Sequence, residues 1–160
     1  MLEYNKQLSE KITHKYSSLI QEHHCYENAY NMVTEDIDEL KLPSKLSILF
    51  CYWRGEDNRY YRHAFCLYDG KIVEPLLYDK MDEEYLSTII PIRYMTVPEY
   101  LEMVEQDGTY GLQDVLYQDE LRVVAENGIF QRLGLVDLSN LYREAEPEPD
   151  MNELNEDMEA

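Results

Sequence analysis

The sequence predicts an α+β domain, with N-terminal helices packed on a small antiparallel sheet of three or four strands and further helices towards the C-terminus. Three observations predict it. Apolar residues recur at three- and four-residue spacing through 3–41. The run LSILFCYW at 46–53 and the segment RYYRHAFCLYDGKIVEP at 59–75 carry strand patterns on either side of an Asp-Gly turn. Helical spacing then returns after Pro98.

Leu8, Ile12, Tyr16, Leu19 and Ile20 form the first amphipathic face, and Ala29, Tyr30, Val33, Ile37 and Leu40 form a second. Pro43 closes this region, because the residue before a proline is pushed out of helical geometry. No Gly or Pro interrupts the chain near 23–25, so 3–41 reads as one helix or two. LSILFCYW is almost unbroken in apolar character and rich in aromatic and β-branched residues, as in a strand covered on both faces. After the polar loop RGEDNR, residues 60–68 and 71–75 flank Asp69-Gly70, a strong local signal for a hairpin. Residues 89–95 supply another strand, in which Pro91 marks an edge or a bulge. Pro98 opens a short helix that Gly108 ends, and 112–126 gives another that ends near Gly128. The stretch IFQRLGLVDLSNLY is apolar enough to pack back onto the core without declaring its type.

A length of 160 residues suits one core, placed in residues 1–143. Residues 144–160 hold eight acids, no Lys or Arg and few large apolar side chains, so they read as a disordered acidic tail. The formal net charge is −19, and residues 1–143 alone carry 25 acids against 14 bases, a net of −11. Such a surface argues against direct nucleic-acid binding and against an anionic membrane, and favours a basic partner or mimicry of a nucleic-acid surface. An odd count of three cysteines, a polar beginning and no apolar run of about 18 residues are expected of a cytoplasmic protein with reduced thiols.

The hairpin places the residues that invite chemistry. A two-residue turn at Asp69-Gly70 pairs Tyr68 with Lys71, Phe65 with Glu74 and His63 with Leu76, so His63 and Glu74 share a face as diagonal neighbours. A carboxylate so placed fixes the tautomer of the imidazole and stabilises its cation. Cys25, on the upstream helical segment, is the candidate nucleophile, since a neighbouring imidazolium or a helix N-terminus depresses a thiol pKa. Asn28 lies one turn further on and can bond backbone or a substrate amide.

The segment CYENAY, a buried strand and then HAFCLYDGKIVEP resemble the Cys-helix, His-strand, acid-strand order of papain-like and transglutaminase-like thiol enzymes, especially small phage and bacterial proteins of that class. The resemblance covers 25–75 and implies Cys25 as nucleophile, His63 as base and Glu74 as orienting acid, acting on a peptide, amide or ester. Such families usually carry Asp or Asn where this chain has Glu74, and Gln21 is nearer the Cys than their usual oxyanion-hole glutamine. No cofactor is expected. His23, His24 and Cys25 point about 100° apart on a helix, so with His63 they do not make a zinc set.

A second function fits the same scaffold: a non-catalytic acidic interaction protein, such as an inhibitor or nucleic-acid mimic, that binds a basic partner. Its binding candidates are Glu35, Asp36, Asp38 and Glu39 on the second helical segment, and Asp79, Asp82, Glu83 and Glu84 after the hairpin. The thiol enzyme requires convergence of Cys25, His63 and Glu74 in an accessible cleft. The binder requires carboxylates on one exposed face and is indifferent to Cys25.

Overall fold

The computed structural model describes residues 2–21, 24–55, 57–75, 81–126, 128–134 and 141–142. In chain order its elements are β1 (Glu3–Tyr4), α1 (Lys6–Lys15), α2 (Cys25–Thr34), β2 (Leu46–Arg54), β3 (Tyr60–Tyr68), β4 (Lys71–Val73), α3 (Glu83–Leu86), β5 (Ile90–Thr96), α4 (Val97–Asp107), α5 (Asp114–Glu126), α6 (Ile129–Leu133) and β6 (Leu141–Tyr142). The α+β architecture read from the sequence is the observed one. The acidic tail and Asp79 lie outside the described residues.

The sheet is built on three long antiparallel strands. β2 pairs with β3 from Leu46↔Tyr68 to Arg54↔Tyr60, and with β5 on its other side. The strand order is β1-β4-β3-β2-β5, and β6 adds to β3 at Tyr60 and Tyr61. The sequence does not announce the two-residue strands β1 and β6, which pair in parallel with β4 and β3. In β5, Arg93 faces Phe50 and Pro91 faces Cys51, so one extra residue bulges out beside the proline, which cannot donate to the ladder.

Strict alternation then sorts the strands' side chains onto two faces. Ile48, Phe50, Tyr52, Tyr60 and Ala64 pack with Tyr26 and Ala29 of α2, Tyr100 of α4, and Tyr117 and Leu121 of α5. Leu46 and Cys66 continue this face beneath Ile12 of α1 and Met32 of α2. The opposite face carries Leu49, Cys51, Phe65 and Leu67, which pack with Ile72, Met81, Leu86 and Ile89. Both faces are covered, which is why LSILFCYW is apolar without a break.

The helical region 3–41 is neither one helix nor a simple pair. Asn5 caps α1, its Oδ1 accepting the Leu8 N–H at 3.0 Å. After Tyr16 the chain turns through Ser17–Leu19, and α2 begins only at Cys25. Side chains of α2 hold this break. The Asn28 amide accepts the Gln21 N–H at 2.9 Å and donates to the Gln21 C=O at 2.7 Å, and Asn31 donates to the Leu19 C=O at 3.0 Å. At its other end α2 stops at Thr34, with Glu35 extended. The acids Glu35, Asp36, Asp38 and Glu39 follow, where the negative end of a helix dipole opposes them. Ile37 and Leu40 remain buried although they lie beyond the helix.

Two other boundaries move. The β3–β4 ladder ends at Cys66↔Val73, so Phe65 and Glu74 are not a ladder pair, and Leu76 lies outside the described residues. The last long helix begins at Asp114, two positions later than the apolar pattern suggests. Around Pro98 the expectation is met: Thr96 caps α4, and Gly108 ends it at φ +73°, a left-handed conformation suited to glycine.

Candidate functional site

His63 and Glu74 meet. Both are 7% exposed, and His63 Nε2 lies 3.8 Å from Glu74 Oε2, within reach of an ion pair but too far for a hydrogen bond. The sheet alone does not place Glu74, which stands one residue past β4. Instead α1 pins it: the Glu74 N–H donates to the Ser9 hydroxyl at 3.1 Å, and that hydroxyl donates to the Asn5 C=O at 2.7 Å. Tyr4 donates to the Glu74 C=O at 2.9 Å, and Thr13 donates to the Pro75 C=O at the same distance. Ser9, wholly buried, is a positioning residue that sequence reading passed over, and its only signal there is a serine on the apolar side of α1.

The imidazole is walled by rings. Phe65 lies edge-on at 4.4 Å between centroids and Trp53 at 5.2 Å. The residue across the ladder from His63 is Cys51, not Cys25. Burial drives the Cys51 thiol well above its ordinary pKa, and the charge of Glu74 adds to the effect, so Cys51 stays a thiol. Cys66, across the sheet, is raised to about 12 by the same two causes.

Cys25 is placed elsewhere. It is the first residue of α2, half-buried, and it packs against the aromatic cluster of Tyr26, Phe50 and Tyr100. Residues 62, 64 and 66 of β3 point to that helix-bearing face, as Ala64 and Cys66 show, whereas His63 and Phe65 point to the other. The sheet therefore stands between Cys25 and His63, and the expected convergence of Cys25, His63 and Glu74 is corrected to a pair, His63 and Glu74. The physical reason is parity: an odd-numbered residue of β3 cannot face α2. Asn28 and Gln21 are bonded to each other, the Asn28 side chain to the Gln21 backbone, and are thereby occupied in holding the chain break. Among the described residues no three His, Cys, Asp or Glu side chains group to hold a metal.

The two acidic clusters also differ. In the first, Lys15 Nζ reaches Glu39 at 3.1 Å and Asp38 at 3.6 Å, and Glu39 with Tyr16 raises the lysine pKa to about 12. Glu35 and Asp36 extend into solvent beside them. In the second, Asp82 caps α3 by accepting the Tyr85 N–H at 2.8 Å, and Glu83 and Glu84 are exposed in its first turn. None of these three is paired to a cation among the described residues.

Beside this second cluster the surface sinks into an open concavity of about 360 Å³, lined by Trp53, Arg54, Gly55, Asn58, Asp82, Glu84 and Tyr85. Sequence reading treated Trp53 as strand core and Tyr85 not at all. The available signal was a Trp at the end of an apolar run, directly before a polar loop, and the structure leaves it half-buried.

No family model, curated protein or solved structure matches this chain. The fold and the two sites are accordingly read from the molecule itself, an α+β protein with a buried acid–imidazole pair and an acid-rimmed surface concavity.

Proposed function

We propose that this chain is a non-catalytic acidic interaction protein that binds a basic protein partner through the surface around α3. The observation that carries the proposal is the state of the carboxylates. Among the described residues Asp82, Glu83 and Glu84 are exposed and make no ion pair beside a concavity, whereas in the cluster at 35–39 two of the four acids are drawn to Lys15. A partner that brings cations to α3 displaces no internal ion pair of the described residues. The alternative, a cysteine hydrolase or acyl-transfer enzyme using Cys25, His63 and Glu74, retains Cys25 at a helix N-terminus and the His63–Glu74 pair, but asks two groups on opposite sides of a sheet to share a proton.

Two variants with the same change in charge test the reading. One is Asp82→Asn/Glu83→Gln/Glu84→Gln, in which Asn keeps the helix cap. The other is Glu35→Gln/Asp36→Asn/Asp38→Asn. Titrated calorimetrically with a hexa-arginine peptide at physiological salt, the first variant is expected to bind about tenfold more weakly than the second, the worth of one charge-assisted contact. Equal losses would reduce the attraction to net charge and overturn the assignment of the α3 face.

A further inference from the structure

We propose that the concavity between Trp53 and α3 is a recognition pocket for a single guanidinium side chain of the partner. This inference rests on the interaction reading above and names the group that reading leaves open.

The pocket has two walls. One is the end of β2 and the loop after it, with Trp53, Arg54, Gly55 and Asn58; the other is α3, with Asp82, Glu84 and Tyr85. The walls are fastened to each other. Tyr85 donates its hydroxyl to the Arg54 C=O at 3.1 Å, and the Trp53 and Tyr85 rings lie 6.2 Å apart between centroids. Behind Trp53 stands the buried His63 ring at 5.2 Å, which limits the positions open to the indole. Asn58 holds φ +63°, a conformation that asparagine tolerates better than most residues and that shapes the loop side of the pocket. The described parts of the two walls are therefore tied to each other by the fold.

The chemistry of the lining selects a planar cation. Indole and phenol faces attract cations through their ring quadrupoles, and a guanidinium both stacks on such faces and pairs with carboxylates through a flat fork of donors. Asp82 has spent one carboxylate oxygen on the Tyr85 N–H, and among the described residues its other oxygen and the Glu84 carboxylate remain as acceptors. Arg54 is the opposing charge. Against two carboxylates it leaves the lining acidic, and it repels an incoming cation. Arg54→Gln is thus expected to tighten binding rather than loosen it.

Trp53 is the single tryptophan of the chain, so its emission reports on this pocket alone. Titration of the full chain with hexa-arginine and with hexa-lysine is expected to give a saturable change in Trp53 emission, several-fold tighter for arginine. Binding should weaken about tenfold in Asp82→Asn/Glu84→Gln and strengthen in Arg54→Gln. The proposal falls if Trp53 does not respond, if lysine and arginine are equivalent, or if Arg54→Gln weakens binding, which would mark the pocket as an anion site. A silent Trp53 with a preserved difference between the two triple variants would overturn the pocket and leave the α3 face standing; loss of both would remove the interaction reading as well.

Discussion

The two faces of the sheet solve the problem of buried polarity in different ways. On the helix-bearing face the polar atoms are hydroxyls satisfied close at hand: Tyr26 and Tyr117 share a hydrogen bond at 3.1 Å, and Tyr100 donates to the Tyr110 C=O at 2.9 Å. A buried cation there, Arg62, lies 4.2 Å from the centre of the Tyr117 ring and donates to the Tyr52 hydroxyl at 3.3 Å. On the opposite face an imidazole and a carboxylate are both inside, at 3.8 Å, and the acid is held there by a distant helix. Arg62 apart, the first face holds neutral hydroxyls and thiols that must not ionise. The second holds an acid and an imidazole side by side in the interior.

Three experiments break or sharpen that contrast, and the largest effect is expected at alkaline pH. Burial raises Cys66 to about 12 from 9.0, and pushes Tyr100 and Tyr117 well above 10.0. These groups keep their protons in the fold and lose them sooner in the unfolded chain. Their contribution to stability is therefore fully present below about pH 9 and is lost as pH rises towards the folded values. At about 1.4 kcal/mol per pKa unit, Cys66 alone accounts for a loss on the order of 4 kcal/mol across the window. Urea unfolding from neutral to about pH 11, two units above 9.0, should show about two-thirds of this decline, with a shallower slope in Cys66→Ala. An alkaline limb that stays flat would mean that the neutral face is not closed.

On the other face, Glu74→Ala leaves the buried His63 ring without its polar neighbour and should lower stability by about 2 kcal/mol. The double variant His63→Leu/Glu74→Leu should recover most of that loss, because apolar side chains of similar size need no polar partner at a buried site. Denaturant midpoints of His63→Leu, Glu74→Leu and the double give the coupling; losses that simply add would show that the two side chains act independently.

The smallest expected effect is none. The rate of Cys25 alkylation by iodoacetamide, read by mass spectrometry, should be the same in the native protein and in His63→Ala at every pH tested, while Cys51 and Cys66 react only after unfolding. A Cys25 rate that stays high at mildly acidic pH and collapses in the variant would join the thiol to the imidazole, restore the thiol-enzyme reading and dissolve the separation of the two faces.

Much of the scaffold was legible because its causes are local. Asp69-Gly70 takes positive φ at both residues, 54° and 79°, which is what a two-residue hairpin turn needs and what these residue types permit. Pro91 could only be an edge or a bulge, and Gly108 could only end a helix, for equally local reasons. The period of two along a strand assigned His63 its face, whereas Glu74 lies past the ladder and is brought to it by α1. By itself, then, the sequence determined the hairpin, the long strands, the α+β order and the acidic surface, since each depends on residues within a few positions of one another.

What only the tertiary structure decided depends on partners far along the chain. The break between α1 and α2 is held by an asparagine that bonds backbone seven residues earlier, and Glu74 is held by a serine 65 residues away. The separation of Cys25 from His63 arises because α2 lies on the face that even-numbered residues of β3 present. Periodicity fixes which residues share a face, but the packing of helices chooses which face they cover. That choice is collective, made by the burial of Tyr26, Ala29, Phe50, Tyr100 and Tyr117 in one cluster. No single stretch of sequence contains it.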